Sequence, residues 1–376
     1  MCPMPGKQGS AQQAGVALPS SPLRGGVRHV SQIAPASPPP DSPAVTQKLP
    51  SEHLRRIVGT PPGRVVGFLT RFVWAFLTWL SPESRDALAR FVGNLAYRLG
   101  IRRRVALENL AMAMPEKSDA ERREIARGAY INMSRVVLES LPSGDRLPLD
   151  WAEQGVEGDA AWQALKARVA TGKGALLVTA HFGNWELLGE MLIRHGVPLD
   201  ALVRPLKGAL NTRIAENRVR IGAGLIYPRG AIQEIIDAVN RGESPFMLLD
   251  QALPAKGAAF VPFFGKLAST TPAMAVAAAR TDAPVFVVMG VRNGRGGARF
   301  RMEVEGPILP PAPGECADPI TEHTARVTAA LERCIRKYPD QWMWLHRRWK
   351  VQPPPEAALP AGTTPPPSAS GAPPAG

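Results

Sequence analysis

A histidine stands five residues ahead of a glutamate in His181-Phe-Gly-Asn-Trp-Glu186, directly after the apolar run Ala175-Leu-Leu-Val-Thr-Ala180. The run reads as a buried strand, and the apolar spacing from residue 185 to about 194 reads as a helix. This makes a strand-to-helix corner. Gly183 permits the bend, and Asn184 has the side chain of a helix N-cap. An imidazole at such a corner can take the proton of a hydroxyl. A carboxylate beside it can fix its tautomer and steady the imidazolium. On an ideal helix, positions five apart lie about 140° apart around the axis. His181 and Glu186 can therefore meet only if the histidine precedes the helix and the glutamate sits in its first turn. The pattern taken alone also fits a merely hydrogen-bonded histidine and a glutamate favoured by the helix dipole.

Other polar groups follow predicted strands in the same way. Arg204 ends Ala201-Leu-Val-Arg, and Asp250 ends Phe246-Met-Leu-Leu-Asp. Sheets covered by helices bind ligands at the carboxyl ends of their strands, so His181, Arg204 and Asp250 are expected to converge on one crevice. Two later blocks, Phe260-Val-Pro-Phe-Phe-Gly265 and Trp342-Met-Trp-Leu-His-Arg-Arg-Trp-Lys350, combine aromatic and basic residues.

With Asn109-Leu110 and Met114-Pro115-Glu116 upstream, these blocks occur in an order and spacing that resembles the bacterial lipid A late acyltransferase family, within the wider lysophospholipid acyltransferase group. The likeness runs from about residue 65 to 351. It implies a membrane-associated O-acyltransferase on the cytoplasmic face of the bacterial inner membrane. A fatty acyl chain would pass from acyl carrier protein to a hydroxyl of a lipid A precursor. His181 is then the general base, Glu186 its orienting acid, and no covalent acyl-enzyme is expected. Arg204 would bind the anionic substrate or stabilise the transition state, and either Arg204 or backbone N–H groups at the Gly183 turn would hold the oxyanion. Asp250 is carried over as a substrate-binding residue. The family usually places a second acid two residues further on, where this chain has Ala252. Gly265 would let the backbone approach a ligand, with Phe263 and Phe264 lining an acyl channel or packing in the core. Arg347 and Arg348 would meet lipid phosphate, or else complement a helix end. Another glycolipid, a lysophospholipid or an aminolipid would suit the same chemistry.

The chain of 376 residues carries a formal charge of +13. Such a surface suits nucleic acid, anionic lipid or an acidic protein. No zinc-finger spacing, RNP-like strand or recognition helix is present, so nucleic acid is not expected. The three cysteines, Cys2, Cys316 and Cys334, have neither metal spacing nor a disulfide framework. A metal hydrolase using His181 and Glu186 lacks the H-E-x-x-H pattern, and no metal or other cofactor is expected. A non-catalytic basic membrane-binding protein remains the alternative of another class.

Residues 1–62 and 352–376 are rich in Pro, Ser, Ala and Gly, too poor in apolar surface to offset the entropy of ordering. They are expected to be disordered tails around an acyltransferase domain at 63–351. Residues 63–81, built round an aromatic and aliphatic stretch at 65–80, are expected to anchor it. Sixteen residues fall short of the ~20 that span a bilayer, so an interfacial helix fits better.

The fold class expected is α/β: a mixed, largely parallel sheet flanked by helices, behind an amino-terminal helical segment. Helices are predicted from Ser81-Pro82 to Gly100, over 102–114, and from the capping box Ser118-Asp-Ala-Glu121 to about 141. Strands and helices then alternate from residue 174. The stretch 250–270 reads as a loop, and Asn293-Gly-Arg-Gly-Gly297 as the turn of a hairpin.

Overall fold

The structure, a computed structural model, describes residues 76–77, 80–140, 160–203, 214, 217–293 and 299–354. All of them belong to the compact unit Leu49–Gly376. The expected tail at 1–62, nearly all of the anchor at 63–81, and 355–376 of the other tail lie outside the described residues.

Among the elements described in full, three helices come first: α1 (Pro82–Arg98), α2 (Arg103–Ala113) and α3 (Asp119–Ser140). Their starts follow local chemistry. Ser81 Oγ accepts from the Ser84 amide. The Ser118 and Glu121 side chains each accept the other's backbone N–H, at 2.8 and 3.3 Å, which is the reciprocal arrangement expected of a capping box.

The α/β part runs α4 (Ala160–Ala170), β1 (Leu176–Thr179), α5 (Trp185–Arg194), β2 (Leu199–Leu202), β3 (Gly224–Ile226), α6 (Ala231–Asn240), β4 (Ser244–Leu248), β5 (Ala259–Phe263), β6 (Lys266–Thr270), α7 (Ala273–Thr281), β7 (Val285–Asn293), β8 (Arg299–Ile308) and α8 (Pro319–Lys337). Six strands form one sheet in the order β3-β2-β4-β1-β7-β8. All neighbours are parallel except the last pair.

Helices cover both faces. Alternate residues of each strand point to opposite sides. Leu176 and Val178 of β1 join a core with α2, α3, α6, α7 and α8, whereas Leu177 joins another with α4 and α5. Burial on both sides fits the apolar run Leu176-Leu-Val178 of β1, as parallel strands generally show.

Two elements depart from the sequence reading. Residues 250–270 are not all loop, since β5 and β6 form an antiparallel hairpin. Its two turn residues, Phe264 and Gly265, both have positive φ, 52° and 70°, as the tight hairpin turn that follows strand twist requires. A phenylalanine at the first of these positions hid the signal, because Asn, Asp or Gly is the usual residue there. α4 was also missed; only Trp162 and Leu165 are buried along it, too few to mark a helical period.

Candidate active site

Register brings the histidine and the aspartate together. In the parallel pair β1–β4, Thr179 lies opposite Leu248, and the Leu249 amide donates to the Thr179 carbonyl. Two residues beyond each strand stand His181 and Asp250. The His181 Nδ1 lies 2.8 Å from one Asp250 carboxylate oxygen. The other oxygen accepts from the His181 backbone N–H at 2.9 Å and from the Trp342 indole at 2.8 Å. A carboxylate so placed accepts the Nδ1 proton and leaves the Nε2 lone pair outward. Among the described residues, the Gln251 carboxamide lies 3.3 Å from Nε2. Burial alone would raise the Asp250 carboxyl, but the charge of His181 and these hydrogen bonds outweigh it and hold the group at about 2. It is ionised throughout the neutral range.

Glu186 meets both conditions for reaching His181, since it lies in the first turn of α5 behind the Asn184 cap. Its carboxylate nevertheless pairs with Arg218, at 2.5 and 3.0 Å, and accepts from the Trp185 indole at 3.1 Å. The expected orienting contact is therefore replaced: Asp250, read from the sequence as a substrate-binding residue, holds His181 Nδ1. Among the described residues, Glu186 is linked to the histidine through Trp185, whose ring stands edge-on to the imidazole at 5.0 Å. In the first turn of α5 the Glu186 carboxylate is instead taken by the Arg218 guanidinium.

The loop that carries His181 is held from behind. Gly183 has φ 53°, and a Cβ there would lie 1.7 Å from the Gly290 carbonyl oxygen, so only glycine fits. The segment after α8 runs antiparallel to the loop: Gly183 N–H donates to Gln341 and Met343 N–H to His181, at 3.0 and 3.1 Å. The N–H groups of Phe182 and Gly183 are thus spent within the protein, on Ala180 and Gln341, and do not supply the expected oxyanion donors. Asn132 of α3 donates to the Gly183 and Gln341 carbonyls. Buried Arg292 pairs with Glu139 through two 2.8 Å bonds, and Glu139 also accepts from the Asn184 cap.

The aromatic blocks are scaffold. Phe263, Phe264, Trp342, Trp344 and Trp349 form one cluster with ring centroids 4.5–6.5 Å apart. It fixes Trp342, and so Asp250. Phe263 and Phe264 are core residues. Gly265 serves the hairpin turn. Arg348, expected at lipid phosphate, is only 1% exposed. It donates to the Ser269 carbonyl and the Thr270 hydroxyl at 2.5 and 2.6 Å, so it clamps β6 to the carboxyl-terminal segment. Burial lowers its pKa to about 10, which leaves it charged. Arg347 is exposed. Arg204 lies outside the described residues. Among those described, no three His, Cys, Asp or Glu residues group to hold a metal ion. Trp342 stood in a visible motif whose contact with Asp250 was not legible, and Gln251, Asn132, Arg218 and Arg292 carried no sequence signal of their own, because each acts across 30 residues or more of chain.

A largely parallel α/β sheet here ends two neighbouring strands in a histidine and an aspartate that contacts its Nδ1, an arrangement that leaves the other imidazole nitrogen able to accept a proton. Which enzyme class this is comes from its relatives. The family model for bacterial lipid A biosynthesis acyltransferases matches residues 60–351, and the chain belongs to that family of acyltransferases. It is 29% identical over 273 residues to the lipid A biosynthesis lauroyltransferase of Escherichia coli (strain K12), covering 70% of this chain and 84% of that one. Its identity to the palmitoleoyltransferase of the same organism is 26% over 271 residues, with 69% and 82% covered. The phosphatidylinositol mannoside acyltransferase of Mycolicibacterium smegmatis is 25% identical over 232 residues, with 60% and 72% covered.

Proposed function

We propose that the protein transfers a fatty acyl chain from acyl carrier protein to a hydroxyl of a lipid A precursor, at the cytoplasmic face of the bacterial inner membrane. The observation that carries the reading is the outward Nε2 of His181 with Asp250 on its Nδ1. The acceptor hydroxyl takes the place of Gln251 at Nε2 and gives up its proton as its oxygen attacks the thioester carbonyl. The C–S bond then breaks, and the thiolate takes the proton from the imidazolium. Asp250 stays ionised and stabilises that imidazolium, so no acyl-enzyme is needed. Trp185, steadied by Glu186 and Arg218, keeps the ring in place. Arg204 and the Gln251 amide are the donors assigned to the oxyanion. The charge of +13 favours approach of an acidic carrier protein. Membrane attachment is assigned to residues 63–81; no described helix is long and apolar enough to cross a bilayer.

The test offers the purified protein an under-acylated lipid A precursor with acyl carrier protein or coenzyme A thioesters, and reads the lipid by mass spectrometry. An added acyl ester from the carrier-protein donor is expected, lost in His181→Ala. Transfer at wild-type rate by His181→Ala would end the mechanism. The similarity to the mannoside acyltransferase favours one second reading, a different glycolipid acceptor. A mannosylated phosphatidylinositol in the same assay decides between them.

A further inference from the structure

Helix α1 turns its large apolar residues away from the protein. The face packed on α3 is made of Ala89, Gly93, Ala96 and Tyr97, and a Cβ on Gly93 would lie 2.6 Å from the Ile131 backbone. On the other side Phe91 is 65% exposed, Leu95 43% and Leu99 68%, with Ile101 in the following turn at 53%. At about 100° per residue, Phe91, Val92, Leu95 and Leu99 share an arc of about 100°, the width of a stripe that ordinarily faces a core. Four exposed arginines adjoin it: Arg98, Arg102, Arg103 and Arg104, the last paired with Glu108. The turn is not a frayed end. The Tyr130 hydroxyl donates to the Ile101 carbonyl, the Arg103 guanidinium donates to the Tyr97 carbonyl, and its charge lies 5.4 Å over the Tyr97 ring.

We propose that the outer face of α1 and its turn into α2 is a second membrane contact, one that takes anionic lipid. Phe91, Leu95, Leu99 and Ile101 enter the acyl boundary, and Arg98, Arg102 and Arg103 meet headgroup phosphates. Apolar stripe and flanking cations together are what an interfacial helix presents to such a surface. A two-fold contact between copies would bring the same arginines near each other, which opposes that occupant. The proposal rests on the membrane part of the reading above and adds a surface to it that residues 63–81 do not include.

The test uses the full chain with its cysteines replaced and an environment-sensitive dye on Leu99→Cys, or on Ile232→Cys of α6 as control. Vesicles of phosphatidylglycerol and phosphatidylcholine should blue-shift the dye at 99 and not at 232. Phosphatidylcholine alone, or high salt, should weaken the shift. Unlabelled Phe91→Ser/Leu99→Ser should lower the vesicle partition coefficient at least ~10-fold, since two large apolar side chains no longer enter the acyl boundary. Vesicle binding without a shift at 99 would overturn this surface and leave the membrane reading standing, whereas no vesicle binding by the unaltered chain would end both. A shift already present without lipid would mean the chain's own segment covers the face. One that grows with protein concentration would mean a second copy, and one produced by acyl carrier protein would mean a protein site; each of these overturns the proposal.

Discussion

Asp250→Asn should inactivate the enzyme without unfolding it, and the reason lies in counting donors. One carboxylate oxygen faces two donors, the His181 backbone N–H and the Trp342 indole; the other faces His181 Nδ1 alone. An asparagine has one oxygen to offer. Placed toward the two donors, it satisfies both and turns its NH2 toward Nδ1. That nitrogen must then accept, so the ring proton moves to Nε2 and the base has no lone pair for the hydroxyl. A wrong tautomer of this kind costs roughly 10⁴-fold in turnover in a histidine-based acyl transfer site, or about 5.5 kcal/mol of barrier. Asp250→Ala leaves the tautomer free, so its turnover should exceed that of Asp250→Asn, although two buried N–H groups lose their acceptor at about 1–3 kcal/mol each. Glu186→Gln, whose side chain bonds Arg218 and Trp185, should lose less than ~10-fold. The assay is kcat for acyl transfer at matched folded fraction, with the ¹⁵N signals of the His181 ring reporting the tautomer. Asp250→Asn within tenfold of wild type, or Glu186→Gln as impaired as Asp250→Asn, would refute the argument.

Gly183→Ala must adopt a positive φ and drive a Cβ into the Gly290 carbonyl, so urea unfolding should show a loss of about 3 kcal/mol or more. Arg348→Lys gives up a two-bond clamp on Ser269 and Thr270 and should lose about 1–3 kcal/mol, while Arg347→Lys, on the surface, should stay within ~0.5 kcal/mol in the same experiment. Burial lowers the pKa of His323, whose Nε2 lies 3.1 Å from the Ile308 carbonyl. The unfolded chain therefore binds that proton first: the contribution is complete above about pH 6.5 and declines as pH falls below it. The melting temperature of His323→Gln should accordingly change less between pH 7.5 and 5.5 than that of wild type.

The candidate site residues His181 and Asp250 could be found in the sequence because each follows a strand. The apolar runs before His181 and Asp250 mark β1 and β4, and alternation with helices implies a largely parallel sheet. Asn184, Ser81 and the Ser118–Glu121 pair announce helix starts through local hydrogen bonds that need no distant partner. Pairing is another matter, since it depends on register and on which way a helix turns. His181 and Glu186 are five residues apart and bond to different groups; His181 and Asp250 are 69 apart and bond to each other, because β1 and β4 are neighbours with Thr179 opposite Leu248. The aromatic and basic motifs are visible as motifs, but the partners of their side chains are not. Arg348 looks like a lipid-facing cation until the hairpin β5–β6 closes over it, and Trp342 becomes part of the site only when the segment after α8 pairs with the histidine loop. Sequence alone determined which side chains carry reactive groups and which elements hold them. Tertiary structure decided their partners, because hydrogen bonds between distant segments are set by the packing of whole elements.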